Sequence, residues 1–239
     1  MASRPPADAM RALDDLAQRY DLTPDAASRF AALLGALAAE PDPHTGFPIE
    51  DAIDLHIADS LSGLDVADLR SASRLADVGS GAGFPGLPLA IALPAARVDL
   101  IESASRKAAV MERLAAAAKV ANARVLAARV EEVASGDGRG AYDAVTARAV
   151  GPLAVLVEYA APLLAPGGVL VAWKGERQGG EEESGGAAAE QVGLTVTAIL
   201  PVRPYEASRN RHLHVYTKTG PTPDRLPRRP GMAAKRPLA

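Results

Sequence analysis

Residues 74–86 read Arg-Leu-Ala-Asp-Val-Gly-Ser-Gly-Ala-Gly-Phe-Pro-Gly, a short apolar run that stops at glycines and leads into a second apolar segment. This pattern predicts a strand, a tight loop and a helix. Glycine lacks a Cβ and adopts backbone angles that other residues avoid, so Gly79, Gly81 and Gly83 favour close approach of the loop backbone to a bound molecule. The stretch therefore predicts a cofactor-binding β-turn-α unit, with Asp77 near the end of its strand.

The next predicted strand, residues 97–102, ends in a carboxylate, Glu102. Nucleotide-binding α/β folds place an acid about twenty residues after the glycines, where it binds the ribose hydroxyls. A carboxylate suits this role because its two oxygens accept hydrogen bonds from two neighbouring hydroxyl groups. Glu102 is therefore the predicted ribose ligand, and an ordinary solvated strand end is the alternative.

The glycine loop also contains the dinucleotide-binding pattern G-x-G-x-x-G, at residues 81–86. In the dinucleotide version the first glycine follows the strand directly, and here Gly79 holds that place, which puts Phe84 where the third glycine belongs. A loop of the form Asp-x-Gly-x-Gly-x-Gly suits S-adenosylmethionine better, because that cofactor has no phosphate. An NAD-dependent oxidoreductase that uses the same loop is the alternative.

Strands and helices alternate through most of the chain, which predicts an α/β fold with a mostly parallel sheet. The last two strands are joined by a connection too short for a crossover helix, so they should pair antiparallel. The predicted strands are 74–78, 97–102, 123–128, 142–147, 169–174, 194–202 and 211–218. The prediction is a Rossmann-like class I S-adenosylmethionine-dependent methyltransferase fold, with a seven-stranded sheet whose last strand is antiparallel.

Apolar periodicity predicts three helices before the first strand, at residues 7–19, 23–40 and 50–61. We expect these helices to form an N-terminal helical cap over residues 1–70, followed by the Rossmann-like domain at 71–219 and a basic flexible C-terminal tail at 220–239. Residues 175–186 are rich in glycine and glutamate, which predicts a mobile polar loop beside the cleft.

The composition excludes several kinds of site. The chain has 239 residues, 48% of them hydrophobic and none of them cysteine, which allows a sizeable core and excludes disulfides and thiolate chemistry. No long uncharged apolar stretch and no basic-then-apolar leader is present, so we expect a cytoplasmic protein without a membrane span. His212 and His214 share a strand face without nearby acids, so no metal site is expected.

The charge is distributed unevenly along the chain. Residues 203–239 carry nine Lys or Arg and two acids, a net +7, while the whole chain is −3. A basic end suits a phosphate-rich partner, because neutralised phosphates release counterions. The alternative is that the basic end is only solvated and disordered and has no binding role.

Several charged side chains fall where ligands of parallel sheets bind, at or after the carboxyl ends of strands. Arg148 and Lys174 end the fourth and fifth predicted strands, and structural ion pairs are their alternative role. Val130 and Glu131 follow the third strand, where the backbone could read an adenine edge and Val130 could pack on its face; loop solvation is the alternative.

His56 and Asp59 lie three residues apart on a predicted helix and therefore share one face. They form either a partly buried structural pair or part of the cleft lining.

The order of short motifs along the chain resembles the RsmG (GidB) family of small-subunit ribosomal RNA guanine-N7 methyltransferases. These motifs are His-Ile-Ala-Asp-Ser-Leu, Asp-Val-Gly-Ser-Gly-Ala-Gly-Phe-Pro-Gly, Arg-Val-Glu-Glu, Ala-Arg-Ala, Trp-Lys-Gly and Arg-His-Leu, from about Ile53 to the last strand. The family's Asn-Leu-Thr element before the His-containing helix is missing from residues 41–48.

The resemblance implies roles for individual residues. Gly79 and Phe84 would contact S-adenosyl-L-methionine, and Val130 and Glu131 its adenosine. Arg148 would lie at the cofactor or the base. Lys174 and Arg211 would contact RNA and, with Arg148, form the catalytic set. The implied partner is 16S ribosomal RNA or the small ribosomal subunit, and we expect a monomer that needs no metal.

The chemistry implied by the resemblance asks little of the protein. Guanine N7 already presents an unprotonated lone pair, so no general base is required, and catalysis would come from alignment of the reacting atoms. Arg148 or Arg211 could donate to guanine O6 and fix the base. On this view Arg148→Ala should abolish methylation while the protein folds normally.

Two further alternatives differ in what they transfer. A non-catalytic RNA-binding relative would bind ribosomal RNA through its basic end without methylating it. A methyltransferase that acts on a protein or a small molecule would have no use for the +7 end.

Overall fold

A seven-stranded sheet, in the order β3-β2-β1-β4-β5-β7-β6, forms the centre of the computed structural model, which describes residues 7–42 and 51–239. The strands are β1 (Arg74–Val78), β2 (Arg97–Ile101), β3 (Ala123–Leu126), β4 (Tyr142–Arg148), β5 (Leu164–Lys174), β6 (Leu194–Val202) and β7 (Arg211–Lys218). Strand β7 pairs antiparallel with both β5 and β6, and the pairs among β1 to β5 are parallel. The predicted Rossmann-like sheet with an antiparallel last strand is confirmed.

Helices cover both faces of this sheet. They are α1 (Ala7–Arg19), α2 (Ala26–Ala39), α3 (Asp59–Leu61), α4 (Ala67–Arg70), α5 (Gly86–Ala92), α6 (Ser105–Ala117), α7 (Val130–Ser135), α8 (Leu153–Ala160), α9 (Gly179–Val192) and α10 (Met232–Lys235). None of the helices within the described ranges has both the length and the apolar character needed to cross a membrane.

Two buried clusters sit on opposite faces of the sheet, because successive side chains of a strand point to opposite sides. Leu75 of β1 belongs to the first cluster, which also contains apolar residues of α1, α2, α5 and α6. Ala76, the next residue, belongs to the second cluster, which contains apolar residues of α8 and α9. Uninterrupted apolar stretches, such as residues 169–173 of β5, are expected where both faces of a sheet are covered.

The N-terminal helices pack on the first of these faces. Phe30, Leu33 and Leu37 of α2 are fully buried, and the Arg29 guanidinium donates to the carbonyl oxygens of Ala118 and Lys119 just after α6. The third predicted helix, 50–61, is irregular. It runs through a wide π-helical turn at Ile53–Ala58 into α3, and it continues through a 3-10 turn at Ser62–Asp65. Glu50 and most of residues 41–48 lie outside the described ranges.

The prediction of a mobile polar loop at 175–186 was wrong, because most of it belongs to α9. Two glutamates occupy the first turn of this helix, where the helix dipole favours negative charge. Further along, Gly185 lies so close to Leu153 that an added Cβ would approach the Leu153 Cβ within 2.7 Å. Because Gly185 has no side chain, α9 can pack closely against α8. This contact joins segments far apart in the chain, and composition does not reveal it.

Residues 220–239, here called the C-terminal segment, pack on the body of the protein where composition suggested a flexible tail. Leu226 and Ala233 are buried. The Arg228 guanidinium forms a paired contact with the carboxylate of Glu158 on α8, and Arg139 donates to the Leu226 carbonyl oxygen at 2.8 Å. Basic residues of this segment thus contribute to packing as well as to surface charge.

Candidate active site

A cleft of about 300 Å³ opens at the carboxyl ends of β1 to β4. Ligands of open α/β sheets bind at this edge, and the volume lies at the lower end of the usual range for small-molecule sites. The lining residues come from strand ends, from α7 and α8 and from the C-terminal segment: Val78, Gly79, Ile101, Glu102, Ser103, Ala128, Arg129, Val130, Glu131, Val150, Gly151, Pro152, Val155, Tyr159, Ala234 and Pro237.

The glycine loop between β1 and α5 approaches the cleft at Gly79. This residue has φ of +66°, and an added Cβ would lie 2.7 Å from the Val150 Cγ2 atom. Its N–H donates to the Ile101 carbonyl oxygen at 2.9 Å, which fastens the loop to the end of β2. Gly81 also has a positive φ, of +61°. Glycine is therefore required at position 79 both for backbone conformation and for close packing, and at position 81 for backbone conformation.

Asp77 supports the loop from beneath. Its Oδ1 atom accepts from the Thr146 hydroxyl at 2.7 Å, and its Oδ2 atom accepts from the Gly86 N–H at 3.1 Å. Burial raises the pKa of Asp77 to about 6, although the hydrogen bond from Thr146 acts in the opposite direction. Because Asp77 is fully buried and does not line the cleft, its role in the structure is to join β1, β4 and the start of α5.

Glu102 lines the cleft and holds the glycine loop at the same time. Its Oε2 atom accepts from the Gly81 N–H at 3.1 Å, and its Oε1 atom accepts from the Ala104 N–H at 2.8 Å. A carboxylate has about four acceptor sites, so each oxygen retains capacity for a further donor. The geometry presents a fixed, oriented pair of acceptors to the cleft.

Val130 and Glu131 line the cleft at the start of α7, and both are buried. Arg129 precedes this helix, and its N–H donates to the Glu132 carboxylate in a capping arrangement. The Glu131 Oε1 atom accepts from the Gly231 N–H at 2.8 Å. The Glu131 side chain therefore binds the C-terminal segment, and the same residue lines the cleft.

A second cavity of about 250 Å³, here called the cation cavity, gathers the three predicted catalytic residues Arg148, Lys174 and Arg211. They come from the ends of β4 and β5 and the start of β7, which meet at one edge because β7 is antiparallel to β5. The remaining lining residues are Leu55, Asp59, Ala149, Trp173, Gly175, Val202 and His212.

Arg148 and Asp59 form a largely buried ion pair in this cavity. The Arg148 Nη1 atom lies 2.7 Å from the Asp59 Oδ2 atom and also donates to the Leu55 carbonyl oxygen at 3.0 Å. The Trp173 indole N–H donates to the Asp59 carbonyl oxygen at 2.8 Å. Asp59 thus pairs with a distant arginine instead of with His56, its neighbour on the helix.

Lys174 and Arg211 have different contacts in the cation cavity. The Lys174 ammonium group donates to the Gly151 carbonyl oxygen at 3.0 Å and forms an ion pair with Glu181 of α9. The Arg211 Nη2 atom contacts the Tyr205 hydroxyl at 3.3 Å.

The cleft and the cation cavity adjoin each other along residues 149–151, which follow β4. Ala149 lines the cation cavity, while Val150 and Gly151 line the cleft. Ala149 has φ of +58°, a conformation that costs an L-residue about 1–2 kcal/mol. Such strain is often retained at functional sites, and here it places neighbouring residues in two cavities.

Phe84 points away from the cleft. Its ring stacks on His56, with ring centroids 4.4 Å apart and planes 20° apart. Burial, together with the nearby Arg148 guanidinium, lowers the pKa of His56 to about 4, so the imidazole is neutral at pH 7.

Gly81 and Gly83 shape the loop without lining the cleft, so of the predicted cofactor ligands the cleft itself gathers Gly79, Glu102, Val130 and Glu131.

Some residues that line the cleft belong to no sequence pattern that predicts ligand binding. Tyr159, Ala234 and Pro237 reach the cleft through tertiary packing alone. For Asp59 the sequence left two roles open, a structural pair with His56 or a place in the cleft lining, and the structure places Asp59 in the lining of the cation cavity.

Across residues 7–42 and 51–239, no cluster of three or more His, Asp or Glu side chains has an arrangement that could hold a metal ion.

The geometry agrees with comparisons to known proteins. The family model of GidB, described as rRNA small subunit methyltransferase G, matches residues 46–207. A protein from Rubrobacter xylanophilus with the name ribosomal RNA small subunit methyltransferase G is 45% identical over 187 residues, covering 77% of this chain and 72% of its own. A protein of the same name from Deinococcus radiodurans is 38% identical over 232 residues, covering 95% and 90%.

Solved structures agree on the fold. Aeropyrum pernix fibrillarin, crystallised with natively bound S-adenosyl-L-methionine, superposes with a TM-score of 0.51 at 16% identity, covering 67% of this chain and 72% of its own. At that identity the likeness concerns the fold alone. The family model and the two relatives cover most of the chain, and the chain therefore belongs to the GidB family, rRNA small subunit methyltransferase G.

Proposed function

We propose that this protein transfers the methyl group of S-adenosyl-L-methionine to N7 of a guanine in the 16S ribosomal RNA of the small ribosomal subunit. Membership of a methyltransferase family supports the reaction class, and the names of the relatives support a small-subunit rRNA substrate. One observation carries the proposal most directly. The cleft, which suits a nucleoside, adjoins a cavity with three cations that suits a base and its phosphate.

The cleft fits S-adenosyl-L-methionine on its own geometry. Glu102 would bind the ribose hydroxyls, since both of its oxygens retain acceptor capacity. Val130 would pack against the adenine while the Glu131 backbone reads its edge, and Gly79 would let the amino-acid part approach the loop. The natively bound cofactor of fibrillarin, which shares the fold, supports this assignment.

The residues of the chain contribute positioning more than acid or base chemistry. When bound, S-adenosyl-L-methionine supplies an activated methyl group on its sulfonium. Guanine N7 carries a free lone pair, so no side chain has to remove a proton before attack. Arg148, Lys174 and Arg211 would orient the base and its phosphate by donating to oxygen atoms, and alignment of this kind can lower a barrier by several kcal/mol.

Family membership removes the support for an NAD-dependent oxidoreductase, which rested on the glycine pattern alone. A non-catalytic RNA-binding relative differs from the proposed enzyme in one measurable respect, the transfer of a methyl group.

Transfer of radioactive label from S-adenosyl-L-methionine to small ribosomal subunits that lack the modification tests the proposal. Borohydride reduction followed by aniline cleaves RNA at 7-methylguanine, so the modified nucleotide can be located. We expect label in RNA and cleavage at one guanine. Absence of label, or label without cleavage, would contradict the proposed reaction.

Variants of the cation cavity test the roles of its residues. We expect Arg211→Gln and Lys174→Met each to lower kcat/KM for the subunit by about 10- to 100-fold, the worth of one charged hydrogen bond. The Kd for S-adenosyl-L-methionine should stay within about twofold of wild type, since neither residue lines the cleft. Arg97→Gln, at the start of β2 and so at the opposite edge of the sheet, is the matched control.

A further inference from the structure

Asp59 carries an oxygen atom that the fold leaves unused. The side chain is only 5% exposed, and its Oδ2 atom accepts a hydrogen bond from Arg148. Its Oδ1 atom is buried and has no hydrogen-bond partner in the part of the chain that the structure describes. Because an unsatisfied buried acceptor is costly, native proteins retain few of them, and those retained call for an explanation.

The surroundings hold this carboxylate in place. Trp173 fixes the Asp59 carbonyl oxygen, and the Arg148 ion pair fixes one carboxylate oxygen. Asp59 also lines the cation cavity together with Arg211. A residue that lines the cavity beside guanidinium donors therefore carries a buried acceptor without a partner, the Oδ1 atom. Apart from the contacts of its Nη1 atom, the Arg148 guanidinium makes no hydrogen bond among the described residues, so its other N–H groups are available.

This order of acceptor and donors complements one edge of guanine. Guanine has an acceptor at O6, followed by donors at N1–H and at the N2 amino group, and N7 lies on the far side of O6. A guanidinium can donate to O6, and a carboxylate can accept from N1–H and the N2 amino group. Adenine has an amino group and a bare N1 in these places, so it would set donor against donor and acceptor against acceptor.

We propose that Asp59 selects guanine as the methyl acceptor, by accepting hydrogen bonds from the N1–H and the N2 amino group while an arginine of the cation cavity donates to O6. This inference rests on the proposed function and adds the residue that recognises the base. It makes Asp59 a specificity-determining residue with no part in the transfer of the methyl group.

Inosine provides a sharp test, because it keeps O6, N1–H and N7 and lacks only the N2 amino group. Small subunits are reconstituted with 16S rRNA carrying either guanine or inosine at the mapped position. With wild-type protein we expect kcat/KM for inosine to be about tenfold lower or more, since a charged acceptor loses one donor. With Asp59→Asn we expect guanine activity to fall and the guanine-to-inosine ratio to drop below about three.

The controls separate recognition from folding. Asp54→Asn removes the same charge from an exposed residue of the same helical segment, and we expect the wild-type ratio. Calorimetric binding of S-adenosyl-L-methionine and thermal unfolding show whether Asp59→Asn is folded, and Asp59→Glu retains the charge if it is not. A reduced activity with an unchanged ratio would mean that Asp59 only positions Arg148.

The outcomes also distinguish this inference from the proposed function. Equal wild-type activity on guanine and inosine would overturn the role of Asp59 while leaving guanine methylation intact. Absence of wild-type methylation of guanine would instead remove the proposed function on which the inference rests.

Discussion

Arg148 and Asp59 show how the role of one residue depends on a distant partner. From sequence, Arg148→Ala was expected to lose methylation and fold normally. The ion pair changes the second expectation, because the substitution leaves the buried Asp59 carboxylate without its counter-charge. We predict that Arg148→Ala lowers the free energy of unfolding by about 3 kcal/mol, measured by urea denaturation.

The matched control is the double variant Arg148→Ala with Asp59→Asn, which removes both charges. It should recover part of the lost stability, because burying an unpaired amide costs less free energy than burying an unpaired carboxylate. A loss below about 1 kcal/mol in the single variant would show that the pair contributes little.

His56 makes stability depend on pH. Its pKa is about 4 in the folded protein and about 6.5 in the unfolded chain, so unfolding takes up a proton between these values. Stability associated with the neutral ring is therefore complete above pH 6.5 and is lost as the pH falls. We predict that wild type loses about 2 kcal/mol more unfolding free energy than His56→Phe between pH 7 and pH 5.

Urea denaturation at both pH values measures this difference, and phenylalanine at position 56 preserves a ring against Phe84. Asp77 acts in the opposite direction, because its raised pKa lets the folded state take up a proton first. That contribution is present in both proteins and cancels in the comparison. Parallel pH profiles would mean that His56 titrates normally in the folded protein.

At the scale of elements, the C-terminal segment completes one wall of the cleft. Ala234 and Pro237 line it, and the Glu131 carboxylate holds the segment through Gly231. We predict that Glu131→Ala raises the Kd for S-adenosyl-L-methionine by about 5- to 10-fold, because the segment that forms this wall loses its hydrogen bond to Glu131. We also expect faster tryptic cleavage after Arg228 in this variant, since the bond after Arg229 precedes a proline and resists trypsin.

Glu131→Gln serves as the control, because its amide oxygen can still accept from the Gly231 N–H. We expect this variant to resemble wild type in both calorimetry and proteolysis. Unchanged protection of the segment in Glu131→Ala would show that the Arg228 contact with Glu158 is sufficient to hold it.

At the scale of the whole molecule, the cationic residues of the basic end, residues 203–239, are of two kinds: some contribute to packing and others are exposed. Lys218 is buried and Arg228 is paired with Glu158, whereas Arg203 and Arg209 are exposed in the connection between β6 and β7, beside the cation cavity. We predict that the double variant Arg203→Gln with Arg209→Gln binds 16S rRNA more weakly, with a shallower dependence of log K on log salt by about 1–2.

Filter binding across a series of salt concentrations measures this slope. Arg97→Gln, an exposed cation at the far edge of the sheet, should leave both affinity and slope unchanged. If the two sets of variants behave alike, net charge alone would govern binding and the surface beside the cation cavity would have no special part.

What the sequence determined by itself was local. The glycine loop, the acid at the end of β2 and the alternation of strands and helices depend on residues close together in the chain, so their periodicity was enough to predict the Rossmann-like fold and the placement of Gly79 and Glu102. The antiparallel β7 followed from the length of a connection.

Only the tertiary structure decided which distant residues meet. It brought Arg148, Lys174 and Arg211 into one cavity, paired Arg148 with Asp59, turned Phe84 toward His56, and laid the C-terminal segment along the cleft. It also made a helix of the glycine- and glutamate-rich stretch, because α8 and β7 provide the surface that Gly185 packs against. These features depend on burial and charge between segments far apart in the chain, which local patterns of residues do not reveal.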